Sequence, residues 1–284
     1  MRFQHDAHCP EISPIDCAQP DFDTTPHIHD QGMTLTRLNT DIGVGLNNAW
    51  QARLSLPFDV KFMTIEYWDK HGRPYVPDYG NIHHRNETLV GLGDGKLEFR
   101  YLTKPNDDWT IGAGIGSMLP LGTTEENPYK LAAQSKMHQH MQMGSGTWDP
   151  VMSLNAVWMA DTWGMQMNAD GRLPLYENTH GFKTSPSVQM ELGPSYRIST
   201  KWMVTGGVLG RHEWVARWDG EPDPKTGRTA ILLSGTGIYR FNPSVAVMMQ
   251  ASSTVAQWSK ETLIQQFFIG SVGVTWTPNK NKAH

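Results

Sequence analysis

The sequence predicts an all-β protein, an antiparallel, up-and-down transmembrane β-barrel of about 12 strands. Three observations predict it: apolar and polar residues alternate with period two, connections between segments alternate short and long, and charges of both signs sit on one side of the segments only. Successive side chains of a strand point to opposite faces, so strict alternation marks a sheet with two different environments.

The alternation is clearest in four segments. In 50–62, Trp50, Ala52, Leu54, Leu56, Phe58, Val60 and Phe62 oppose Gln51, Arg53, Ser55, Asp59 and Lys61. In 187–198, Val188, Met190, Leu192, Pro194, Tyr196 and Ile198 oppose Ser187, Gln189, Glu191, Ser195 and Arg197. In 163–172, Trp163, Met165, Met167 and Ala169 oppose Gln166, Asn168, Asp170 and Arg172. In 89–101, Leu89, Leu97, Phe99 and Tyr101 oppose Asp94, Lys96, Glu98 and Arg100. Weaker versions at 34–46, 109–121, 151–160, 202–215, 229–241, 244–256 and 263–277 bring the total to about eleven, each near the 9–11 residues of a tilted spanning strand. Even strand numbers are the rule for bacterial barrels, which predicts a further strand.

Short turns at 46–48, 104–108, 161–162, 199–201 and 242–243 face long connections at 68–87, 122–140, 176–184, 218–227 and 257–262. Short periplasmic turns and long extracellular loops have this rhythm. Trp50, Trp109, Trp163, Trp202 and Trp276 fall at the turn ends of strands, where an aromatic girdle is expected. Unpaired charges cost several kcal/mol in a dry core, so the charged faces must meet water or one another. A soluble β-sandwich or carrier barrel is the competing architecture, with the charged faces turned outward.

Composition agrees with the β reading. The 284 residues are 38% hydrophobic, with 27 Gly, 18 Pro and 11 Trp, and hold no apolar run of helical membrane-span length. A net charge of -4 excludes a general nucleic-acid binder. Residues 1–33, rich in Pro, His and Asp, are expected to be an irregular N-terminal segment, or to carry in Met1–Asp6 the end of an upward strand. No leader pattern of charged and apolar regions is visible there. Cys9 and Cys17 are either a disulfide closing a short loop or two idle thiols. The barrel is expected over 34–277, with 278–284 as a C-terminal tail.

Four blocks carry a family resemblance. They are Leu54-Ser55-Leu56-Pro57-Phe58, Asn86–Leu97 with its Gly93-Asp94-Gly95, Gly112–Gly122 ending Leu119-Pro120-Leu121-Gly122, and Met141–Asp149 with Gly144-Ser145-Gly146-Thr147-Trp148-Asp149. In order and spacing they resemble the outer-membrane proteins grouped as the MetA-pathway of phenol degradation, or outer-membrane transporter, family, thinly over 34–277. The resemblance implies residence in the bacterial outer membrane and passage of a small, often hydrophobic or aromatic, compound. It supplies no catalytic residues, and the chain departs from it in its first strand and in continuing past Trp276 to His284.

The functional expectation is therefore a channel, with Arg53, Lys61, Asp94, Lys96, Glu98, Arg100, Asp170, Arg172, Glu191 and Arg197 lining the solute pathway. The same charges could instead form a salt-bridge lattice that plugs a narrow lumen. Its partners are the lipid bilayer, a small-molecule solute and the barrel-assembly machinery. No Gly-x-Ser-x-Gly or His-Glu-x-x-His element is present, so no enzyme is expected. No cofactor is required, but His83, His84, His138, His140, Met141 and Met143 offer imidazole and thioether ligands suited to copper or zinc, with His27, His29, His5 and His8 nearby.

Overall fold

The computed structural model describes residues 2–7, 25–77, 85–223, 225–259 and 265–278. Cys9, Cys17, His8, His83 and His84 lie outside them. In chain order the strands are β1 (Arg2–Ala7), β2 (His27–Gly45), β3 (Trp50–Asp69), β4 (Glu87–Leu92), β5 (Gly95–Thr103), β6 (Trp109–Leu119), β7 (Pro150–Ala160), β8 (Trp163–Arg172), β9 (Phe182–Lys183), β10 (Ser187–Arg197), β11 (Trp202–Glu213), β12 (Arg217–Trp218), β13 (Glu221–Pro222), β14 (Arg228–Asn242), β15 (Val245–Ser259) and β16 (Phe268–Trp276). Among the described residues one short helix, α1 (Pro128–Ala132), interrupts them.

The main sheet runs β1-β2-β3-β5-β6-β7-β8-β10-β11-β14-β15-β16, with β4 also paired to β3. Neighbours in space are neighbours in sequence, which a two-sheet sandwich would not give. The sheet curls on itself: residues of β3, β5, β7, β8, β10 and β11 line one interior cavity. The outer face is apolar and open, with Leu38, Ile42, Phe58, Val90, Ile115, Met152, Leu154, Met190, Leu192 and Val208 all exposed. An apolar surface this continuous matches hydrocarbon, and each strand's own alternation puts it there.

All five short turns lie at one end. Four share a device: Asn47, Asn106, Ser199 and Asn242 each accept the backbone N–H groups two and three residues on, through a side-chain oxygen. These Asx and Ser turns reverse the chain within a few residues. The fifth uses Asp161 at φ 30°. Just inside these turns, aromatics pair across strands: Trp50 with Tyr101, Trp163 with Tyr196, and Trp202 with Tyr239, with ring centroids 5.3, 4.6 and 4.8 Å apart. Trp109 stands opposite Trp158 in the same position. The girdle expected from the sequence is present at this rim.

Three expectations need correction. The segment 89–101 is two strands, not one. Ser55 faces Lys96 and Phe58 faces Leu92, so three steps on β3 match four on the partner. This one-residue bulge at Gly93-Asp94-Gly95 flips every side chain beyond it. Leu89 therefore shares the inward side with Lys61, and Val90 and Leu92 face outward. Second, residues 1–33 are not wholly irregular: β1 pairs with His27–Gly32, and β2 begins at His27. Third, the last strand starts at Phe268, not 263.

The outward assignment predicts asymmetric tolerance. Leu192→Arg should cost about 2–4 kcal/mol, and Tyr196→Arg near the turn rim about 0–1 kcal/mol, in urea unfolding from phosphatidylcholine vesicles. Equal costs would place β10 somewhere other than across a bilayer.

Candidate functional site

The interior is built around one carboxylate. Asp94, carried inward by the bulge, accepts hydrogen bonds from Ser145 N and Oγ, both at 2.7 Å, and from Gly122 N at 3.3 Å. Those donors belong to residues 120–149, which the sequence suggested would be an extracellular loop over 122–140. The two ends of this stretch, around Gly122 and over 141–149, fold into the lumen instead, while α1 between them lies at the long-loop end. Close approach requires glycine here: a Cβ on Gly122 would sit 2.6 Å from Gly144 N, and one on Gly144 would collide with Asp94. On the wall side, Gly93 N donates to Pro57 O at 3.0 Å, and a Cβ on Gly95 would meet Leu121 at 3.1 Å. The four sequence blocks that are separate in the chain thus meet at one place.

Charges ring this knot. Arg37 clasps Asp59 with two bonds, 2.7 and 2.8 Å, and Asp59 is fully buried. Arg172 bonds Asp149 through Nε at 2.8 Å and also through Nη2, and approaches Asp94 at 3.7 Å. Thr147 Oγ1 donates to the other oxygen of Asp149 at 2.8 Å. Lys61 Nζ donates to Gln142 O at 2.5 Å, a second tether on the inward loop.

Two cavities lie on either side of this layer. The upper one, of about 490 Å³, is bounded by Met33, Met63, Met118, Met141 and Met143 together with Arg37, Arg85, Asp94 and Arg172. The lower one, of about 280 Å³, is lined by Arg53, Lys96, Glu98, Arg100, Asp170 and Glu191. Its groups are cross-linked: Ser153 Oγ donates to Glu98 at 2.5 Å, Arg100 donates to Asn155 at 2.5 Å and approaches Glu98 at 3.7 Å, and Gln189 donates to Asp170 at 3.4 Å. Of the ten pathway residues expected from sequence, eight border these cavities, Lys61 is tied to the inward loop, and Arg197 is exposed at the short-turn mouth. Arg37, Asp59 and Asp149 complete the layer; the Gly-rich blocks were the signal for Asp149.

A cap of loop residues sits at the long-loop end. Asn127 caps α1 and donates to Asp219, Lys130 reaches Asp219 at 2.9 Å, and Tyr129 donates to Asp223 at 2.8 Å. Burial, with Asp223 alongside, pushes the Tyr129 hydroxyl well above its ordinary range. Phe182 of β9 packs on Trp218 of β12 at 4.7 Å. His138 and His140 lie in the inward loop, not on a strand, with ring centroids 5.1 Å apart. Burial lowers the His138 pKa, which keeps the ring neutral, and its Nδ1 bonds Lys136 O at 2.9 Å. Among the described residues no three His, Cys, Asp or Glu converge as a metal cluster, and Met141 and Met143 line the upper cavity.

Removing the Asp94 carboxylate should free the inward loop, because each hydrogen bond to a charged group is worth about 1.5–3 kcal/mol. Asp94→Ala should speed tryptic cleavage after Lys130 and Lys136 at least about tenfold, measured on gels of the folded protein. Unchanged cleavage would mean that the loop is held by something else.

No protein-family model matches the chain, and no curated protein matches it. Among solved structures, an outer-membrane channel from Pseudomonas putida F1 is similar at 12% identity and a TM-score of 0.58, covering 96% of this chain and 92% of that one. The NanC porin is 10% identical at a TM-score of 0.45, covering 98% of both chains. The CymD monoaromatic hydrocarbon channel is 10% identical at 0.43, covering 98% of this chain and 86% of that one. The first of these, with the strand order and the apolar outer face, establishes the fold as that of an outer-membrane β-barrel.

Proposed function

We propose that the chain is a passive channel of the bacterial outer membrane for a small solute with both apolar and polar parts. The observation that carries this reading is the pair of cavities stacked inside one curled sheet whose outer face suits lipid. The upper cavity, of about 490 Å³, is in the range that holds a small ligand, and its thioethers border arginine and carboxylate groups. Methionine adapts to varied apolar shapes, aromatic rings included. The arginines orient the polar end. Below the Asp94 layer, three cations (Arg53, Lys96, Arg100) face three anions (Glu98, Asp170, Glu191), an arrangement that orients dipoles and favours neither ion sign. The partners in this reading are the bilayer, the solute and the machinery that inserts barrels, with Trp276 the last outward aromatic of β16.

In planar bilayers the protein should conduct with little preference between potassium and chloride. Arg53→Glu should move the reversal potential toward cation selectivity, and Asp94→Ala should raise single-channel conductance. Absence of current at every voltage, with no swelling of solute-loaded liposomes, would make the charge network a plug and overturn the channel reading.

A further inference from the structure

At the long-loop rim, above the outward rungs Leu38–Phe58 and Thr34–Phe62, β2 carries His27 and His29 on the same inward face as Met33. Both are buried, at 4% and 0% exposure, and their Nε2 atoms lie 3.0 Å apart. The other nitrogen of His27, Nδ1, is 2.7 Å from Thr25 O. A carbonyl can only accept, so Nδ1 carries the proton, and His27 Nε2 accepts the hydrogen bond that His29 Nε2–H donates. An ion held by both Nε2 atoms takes the place of that hydrogen, which passes to His29 Nδ1. A backbone carbonyl fixing one ring nitrogen while the other ligates is the usual outer support of a metal-bound histidine. Tyr67 packs edge-on to His29 at 5.0 Å and Tyr75 lies 4.9 Å from His27, which holds both rings in place. The register of β1 sets His5 at the rung of His29.

We propose that His27 and His29 form a binding site for a divalent copper ion at the mouth of the barrel. Nitrogens 3.0 Å apart are both within reach of one ion at metal–nitrogen bonds of about 2.0–2.1 Å. Among the divalent ions that imidazole binds, copper heads the affinity order. The pair acts as a chelate on one strand: residues two apart share a face, so binding needs no movement of the wall.

The experiment titrates the full chain in detergent with Cu(II) chloride, followed by calorimetry and electron paramagnetic resonance, and needs no conductance. One ion should bind per chain, with splitting from imidazole nitrogens. His27→Ala and His29→Ala should each weaken binding at least about tenfold while keeping the heat-modifiable gel migration of a folded barrel; should either fail to fold, His27→Gln and His29→Gln carry the same expectation. Zn(II) should bind at least about tenfold more weakly, and a His138→Ala/His140→Ala variant should bind copper as the parent does. Copper binding that survives loss of both His27 and His29, that follows His138 and His140, or that zinc matches would overturn the assignment. So would the lack of any saturable site, which would leave the pair as a hydrogen bond between imidazoles.

Discussion

Asp94 is the group on which the interior depends. A carboxylate on the inner wall of a narrow barrel must be satisfied locally, and here it is satisfied by the main chain of an inward-folded loop and by Arg172. That requirement explains the sequence around it. The bulge turns position 94 inward, and Gly93 and Gly95 let the wall pack against Pro57, Asp59 and Leu121. Gly122 and Gly144 let two stretches of backbone touch, which exposes N–H groups to the acid. Ser145 and Thr147 fill the remaining hydrogen-bonding capacity of Asp94 and Asp149. Removing one member leaves the others buried without compensation, so the blocks form a single unit.

The wall obeys a different constraint. Hydrocarbon offers no hydrogen bonds, so every backbone group on a spanning strand has to be paired within the sheet. Along the main path from β3 to β15, β4 aside, each strand is paired on both sides. Among the described residues, the edge of Met33–Gly45 away from β3 and the edge of β16 away from β15 have no strand beside them. Both run toward the short-turn end.

How much of this was legible in the sequence varies with the physics of each element. β8 and β10 are found almost to the residue because lipid on one side and water on the other enforce uninterrupted alternation. The segment 89–101 misleads because glycines at 91, 93 and 95 show no side chain at the position where parity changes. The upper parts of β2 and β3 escape detection because each mixes apolar and polar residues on both faces, with Met63 and Ile65 on one side of β3 and Phe62 and Trp68 on the other, leaving no contrast for periodicity to report. The inward loop was hidden by the assumption that long connections face solvent. Its signal was an acid flanked by glycines at 93–95 and a second such block ending in Asp149.

The balance between opening and closure in this interior follows from where its charges are spent. Asp59, Asp94 and Asp149 are matched by Arg37, Arg172 and Lys61, three acids to three cations, so the layer between the cavities is balanced in charge and held in place. In the proposed channel, such a layer would raise no electrostatic barrier of either sign to a passing dipole. A free carboxylate at the same depth would attract cations and hold them. The paired arrangement would give up ion selectivity and discriminate by shape.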